Sequence, residues 1–96
     1  MEDARGTVEA VARSSYGRLL AYLSSTTRDV ADSEDALSEA LVSALASWPV
    51  DGIPRQPEAW LLTAARHRFV DQARRRRVRE HHQESLRRLA EDSTAA

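Results

Sequence analysis

The chain has 96 residues, with fourteen basic and fifteen acidic residues, a formal net charge of −1 and no cysteine. That length supports one domain around a single modest core, too small for a deep active-site cleft, and the lack of cysteine excludes a disulfide framework or a thiolate metal site. A near-neutral total argues against indiscriminate binding to polyanions, and an N-terminus without an apolar run leaves no place for a signal peptide. No apolar stretch approaches the ~20 residues of a membrane span, so the expectation is a cytoplasmic, membrane-free protein. With three Gly, three Pro and no sustained strand-like alternation, the composition points to an all-α fold.

Met1 to Gly6 reads as a polar, frayed lead-in. Thr7 is a plausible N-cap, and Val8, Val11, Ala12, Ser15, Tyr16, Leu19, Leu20, Tyr22 and Leu23 then recur at spacings of three and four, which predicts a first helix closed by the cluster SSTTR. Gly17 lies inside it, a weak point unless a neighbouring helix approaches closely there.

Asp29 is a candidate cap for a second helix, with Asp32, Glu34 and Asp35 placing negative charge where the helix dipole favours it. Ala36, Leu37, Ala40, Leu41, Ala44, Leu45 and Trp48 form its apolar stripe, and Pro49 is expected to stop it. Asp35, Glu39 and Val42 fall on the outward side. The stretch WPVDGIPRQP, residues 48–57, holds all three prolines and an Asp51-Gly52 turn signal, and its default role is a stiff connector.

The segment from Glu58 to Arg79 predicts a third helix, about 33 Å long at 1.5 Å per residue, opened by Pro57 in its first turn. Leu62, Ala65, Phe69 and Ala73 make its expected core stripe. Two polar tracks lie away from the stripe, His67 with Asp71 and Arg74, and Arg68 with Arg75 and Arg79. The charge is concentrated here: residues 1–65 sum to −5, residues 66–79 to +6 and residues 80–96 to −2. Such a block is either the footprint of a phosphate-facing surface or an ordinary solvated helix end that complements the dipole. All the basic residues are Arg, which favours bidentate phosphate contacts. Beyond Arg79, residues 80–96 retain helical character with only Leu86 and Leu89 as sizeable apolar side chains. That extension is expected to be helical or disordered, with Ser93–Ala96 disordered.

Enzyme chemistry finds no footing. His81 and His82 are adjacent and His67 is about four turns away, so no three ligands converge on a metal, and no cofactor loop or partnered nucleophile can be assembled.

The segments EDALSEALVSAL, residues 34–45, and PEAWLLTAARHRFVDQARRRR, residues 57–77, resemble region 2 of bacterial sigma-70 factors, specifically the extracytoplasmic-function group. Glu34, Asp35, Glu39, Leu41, Val42, Pro57, Trp60, Leu61, Ala65, Arg66, Asp71, Arg74 and Arg75 fit the family's pattern. The resemblance implies a small bundle of three helices, or four if the tail forms its own element, with residues 1–79 as the domain and 80–96 as an extension. Trp48-Pro49 with Gly52-Ile53-Pro54 is similar to a subgroup carrying an additional C-terminal helical domain, and region 4, the reader of the −35 element, is absent from these residues.

By that resemblance the second helix docks on the β′ clamp helices of RNA polymerase core through Glu34, Asp35, Ser38, Glu39 and Val42. The third meets the promoter −10 element through Arg66, His67, Arg68, Asp71, Arg74, Arg75, Arg77 and Arg79. Ser38 stands where the family usually has Gln. His67 stands where it has an Asn that reads a flipped base, so the preferred base stays open. His67 and the loop Gly52–Gln56 are expected to wall that base pocket, and Trp60 is read as packing rather than stacking. An anti-sigma factor is a further partner the resemblance allows. The competing reading is a helical adaptor whose Arg-rich helix binds an acidic protein.

Overall fold

A computed structural model, which describes residues 3–95, has three helices: α1 (Ala4–Thr27), α2 (Val30–Asp51) and α3 (Pro57–Ala95). Among the described residues there is no strand, and the all-α architecture is of the expected kind. No described helix is long and apolar enough to cross a membrane.

α1 begins a turn earlier than Thr7. Asp3 takes the N-cap position without a side-chain bond, and the Thr7 N–H donates to the Asp3 carbonyl at 2.9 Å. Ala4 and Arg5 are good helix formers, and Arg5 pairs with Glu9 one turn on, which suffices to extend the helix backwards. Met1 and Glu2, the rest of the expected lead-in, lie outside the described residues. At the other end SSTT remains helical, and three of its hydroxyls donate back to carbonyls of the preceding turn, Ser25 and Thr26 to Tyr22 and Thr27 to Leu23, so they are satisfied within the helix. Arg28, in the left-handed region at φ 59°, then ends α1 by donating its N–H to the Ser24 carbonyl.

Asp29 caps α2 as expected, its carboxylate accepting from the Asp32 N–H at 2.9 Å. Pro49, expected to stop the helix, sits within its last turn instead. Its missing N–H forfeits one bond, to the carbonyl of Leu45 on an exposed side of the helix where water can replace it. Gly52, at φ 96°, closes α2 by donating to the Trp48 carbonyl, and the connector shrinks to residues 52–56.

The core is formed by Val8, Leu19, Leu23, Ala36, Leu37, Ala40, Ala44, Trp48, Leu61 and Ala65. Leu61 replaces Leu62 as the buried centre of the α3 stripe, with Leu62 and Phe69 packed at the edge. Leu45, expected inside, is 43% exposed. Small alanines on α2 let the neighbouring helices approach closely, and the Trp48 and Trp60 rings meet edge to face, with centroids 5.4 Å apart. Trp60 is thus a packing residue, as expected.

Three cross-contacts fix how α2 and α3 run. Asp32 pairs with Arg76, Glu39 with Arg68, and Trp48 with Trp60, so each step forward along α2 is a step back along α3. The two are antiparallel, while Ser15–Glu58 and Tyr22–Arg66 show α1 and α3 running parallel. The extension expected to be helical or disordered continues α3 through Ala95. It adds no fourth helix among the described residues, and Ser93–Ala95 is helical; Ala96 lies outside them.

Candidate functional site: two outward faces of opposite character

On α2, residues Asp35, Ser38, Val42, Leu45 and Pro49 fall within an arc of about 80° at 100° per residue. All five are exposed, and the Val42 and Leu45 side chains, 65% and 43% open, put an apolar strip on a surface that begins acidic at Glu34 and Asp35. Leu45 and Pro49 were missed as site candidates because the sequence stripe assigned Leu45 to the core and ended the helix at Pro49. The signal was present in the spacing: Val42, Leu45 and Pro49 recur at three and four, opposite Leu37, Ala40 and Ala44. Glu39 stands apart. It is half-buried on the shoulder facing α3, and its carboxylate meets the guanidinium of Arg68.

On α3, winding from the buried pair Leu61 and Ala65 places Arg66, Arg77, Arg74 and His67 in an arc of about 100° on the opposite, outward side. All four are exposed. Among the described residues, Arg74, Arg75, Arg77 and Arg79 make no ion pair, so their charge is available. Asp71, Arg74, Arg75, Val78 and Arg79 line an open depression of about 510 Å³. It is floored by one apolar side chain and rimmed mainly by cations.

The other arginines of the block are engaged within the fold. Arg68 turns to Glu39. Arg76, which points along the core direction of α3, pairs with Asp32 at 3.2 Å. Arg66 donates to the Tyr22 hydroxyl at 2.5 Å, and its guanidinium lies over the Tyr22 ring at 5.3 Å, which fixes it against α1 while leaving it exposed. Sequence periodicity separated the two polar tracks but carried no information about which would meet the carboxylates of α2.

His67 borders a shallow depression of about 400 Å³ whose other lining residues, Ala59, Trp60, Thr63 and Ala64, all belong to α3. The loop residues Gly52 and Ile53 line a different depression, with Asp3, Ala4, Arg5, Trp48 and Pro49. The expected pocket formed jointly by His67 and the loop is therefore not assembled, because the loop folds back over Trp48 towards the start of α1.

An α1–α3 clamp supports the start of α3. The Ser15 hydroxyl, buried between the helices, donates to Glu58 Oε1 at 2.9 Å, and Arg18 Nη2 meets Glu58 Oε2 at 2.7 Å. Glu58 lies in the first turn of α3, where the helix dipole favours a carboxylate, and its second role as the anchor to α1 depends on the tertiary fold. Among the described residues no group of His, Asp or Glu is placed to hold a metal ion.

The Sigma-70 region 2 family profile matches residues 11–79. An uncharacterized protein of Rhizobium meliloti (strain 1021) is 41% identical over 59 residues, 62% of this chain and 13% of that protein's length, so the similarity spans a small part of the relative. No solved structure matches. The profile covers both outward faces and the helix pair that carries them, and the chain belongs to the Sigma-70 region 2 family.

Proposed function

We propose that this domain is the promoter-recognising region 2 of a bacterial sigma factor of the extracytoplasmic-function type. α2 docks on the β′ clamp helices of RNA polymerase core and α3 holds the non-template strand of the −10 element. The observation that carries the reading is the separation of two exposed faces. One is an apolar strip that begins acidic, formed by Glu34, Asp35, Ser38, Val42 and Leu45 with Glu39 on its shoulder; the other is an outward cationic arc without internal counter-ions. A partner on the first leaves the second open.

Each face suits its assigned partner. Acidic groups around exposed aliphatic side chains fit a basic protein surface, with the apolar contact supplying affinity and the charges orientation. Arg74, Arg75, Arg77 and Arg79 grip phosphates, adding affinity and salt dependence without sequence information. His67 meets an unstacked base, a role supported by its exposure beside the depression lined by Ala59, Trp60, Thr63 and Ala64. An anti-sigma factor would compete for the same strip on α2.

Val42→Arg tests the docking face. The substitution puts a cation where a basic partner must approach, at a position 65% exposed, so helicity and melting temperature stay unchanged while capture of the β′ clamp-helix fragment is lost. Undiminished capture would place docking elsewhere. His67→Asn is expected to alter the base chosen in selection from a randomised −10 library assembled on polymerase, with total affinity changed little. An unaltered preference would remove His67 from base reading. Binding to acidic proteins in place of DNA, with no polymerase capture, would instead identify the helical adaptor.

A further inference from the structure

Glu39 and Arg68 were each expected at a different interface, and the structure joins them. Glu39 Oε2 lies against Arg68 Nε across the α2–α3 seam, with both side chains about two-fifths exposed, at 42% and 40%. Arg68 Nε itself is closed off from solvent and makes no hydrogen bond among the described residues, so Glu39 is its counter-ion without being a well-aligned acceptor, which leaves the contact easy to exchange. The neighbouring positions explain the geometry. On α2, Glu39 follows Ser38 and is turned towards α3, because Ala36 and Ala40, both fully buried, hold that side of the helix against the core. On α3, Arg68 sits about 60° around the helix from Ala65, on the same flank as Arg75 and away from the arc of His67 and Arg74.

We propose that this pair is an internal lock between the two faces: Arg68 occupies the docking carboxylate until a cationic partner surface takes its place, and Glu39 restrains Arg68 from phosphate in the same way. The inference rests on the docking reading above. A partially exposed pair is weak enough to be exchanged, since such pairs contribute little net stability. Once a partner cation holds Glu39, Arg68 is an unpaired guanidinium next to the Arg75 flank and adds one positive charge to the strand-facing side. Occupation of one face therefore favours the other, and the assistance is reciprocal because it is an equilibrium linkage. Arg76 and Asp32 make a similar bridge further along the seam, but Asp32 lies in the first turn of α2, one turn before Asp35 and further round the helix from the docking arc than Glu39.

The experiment measures binding of the 96-residue domain to the β′ clamp-helix fragment and to a labelled single-stranded −10 oligonucleotide, by fluorescence anisotropy at about 50 and 200 mM salt. Arg68→Gln is expected to tighten β′ binding about two- to five-fold at low salt and less at high salt, the range an exposed ion pair allows. Arg68→Lys, which keeps the charge, should restore wild-type affinity. Glu39→Gln should weaken β′ binding, and Arg68→Gln added to it should change nothing further, because the target of the lock is gone. On the oligonucleotide, Glu39→Gln is expected to tighten binding two- to five-fold, and to do so far less when Arg68 is already Gln. Unchanged or weakened β′ binding by Arg68→Gln, with Val42→Arg still abolishing capture, overturns the lock and leaves the docking face standing. Equal capture of wild type and Val42→Arg, or no capture at all, overturns both.

Discussion

The two halves of α3 are one continuous helix held in two different ways. From Pro57 to Ala73 it is packed, with Leu61 and Ala65 fully buried and Trp60, Leu62, Ala64 and Phe69 against the core. From Arg74 to Thr94 every residue except Glu84 is exposed, and the bridges to the rest of the fold end at Arg76. An isolated helix of about 20 residues is marginal in water, so the second half depends on the first as its nucleus, helped only by local pairs such as Glu84 with Arg87 and Arg88. The unpaired arginines of α3 begin where the packing stops, after Arg66 and Arg68, which are engaged with Tyr22 and Glu39. Free positive charge is thereby placed on a backbone whose position is set by the buried half, while the unpaired arginines contribute nothing to the core.

The sharpest way to break this contrast is to truncate one apolar side chain in each half. Leu61→Ala removes a fully buried side chain and should cost about 2–5 kcal/mol in urea unfolding, a large share of the stability of a domain this size. Leu89→Ala, at a side chain 66% exposed, should stay within about 0.5 kcal/mol of wild type. Similar losses at the two positions would mean that the second half is packed in solution, and the division drawn at Arg74 would fail.

The next effect concerns binding. Arg74→Glu with Arg75→Glu reverses two charges that have no partner in the fold, so single-stranded DNA affinity should fall at least about tenfold at low salt while the unfolding curve is unmoved. The slope of log affinity against log salt should become shallower by about 1.4, from about 0.7 per phosphate contact on a single strand. Arg76→Ala gives the internal contrast. Its pair with Asp32 belongs to the seam, so it should lower stability slightly and change DNA binding less than either neighbour does.

That distinction among adjacent arginines marks the limit of what the sequence disclosed. The three helices, the Asp29 cap and the cationic outer side of α3 were all readable from spacing, because each depends on the 3.6-residue repeat or on local capping. Element ends were less legible. Pro49 and the SSTT cluster are helix breakers by propensity, and both are accommodated at the last turn, where one lost bond or a hydroxyl bonding back is tolerated. The partners of Arg66, Arg68 and Arg76 were not legible at all. They are set by which α1 and α2 side chains lie across the seams, between positions up to 44 residues apart in the chain, a property of the helix packing that no single-helix pattern contains. The division of Leu61 and Leu62 between core and edge was undetermined for a related reason: adjacent leucines are 100° apart and both can border a stripe.

Capping tests the local part of the packed region. Asp29→Ala removes the acceptor of the Asp32 N–H and should cost about 1 kcal/mol, within the usual range for an N-cap aspartate. The loss should appear in urea unfolding with little change in the DNA salt slope, since the Asp29 carboxylate is engaged by the Asp32 N–H and pairs with no arginine among the described residues, although Asp32 beside it meets Arg76.

The smallest change is a gain, and it separates outer from inner surface within the packed part of the molecule. Gly17 lies mid-helix in α1, exposed, and a Cβ added there would meet nothing within 4 Å, so the close neighbour that would justify a glycine is absent among the described residues. Gly17→Ala should stabilise by about 0.5–1 kcal/mol, from helix propensity and a less flexible unfolded chain. For a domain of this size that corresponds to a melting temperature raised by about 2–8 °C. Gly6→Ala offers the control. Its added Cβ would come within 2.9 Å of the Asp3 carboxylate, an exposed group that makes no cap bond and can turn aside, so its gain should be slightly smaller than that at Gly17. If Gly17→Ala instead lowered stability, the outer face of α1 would be covered in solution, and α1 would then belong with the interfaces rather than with the scaffold that supports them.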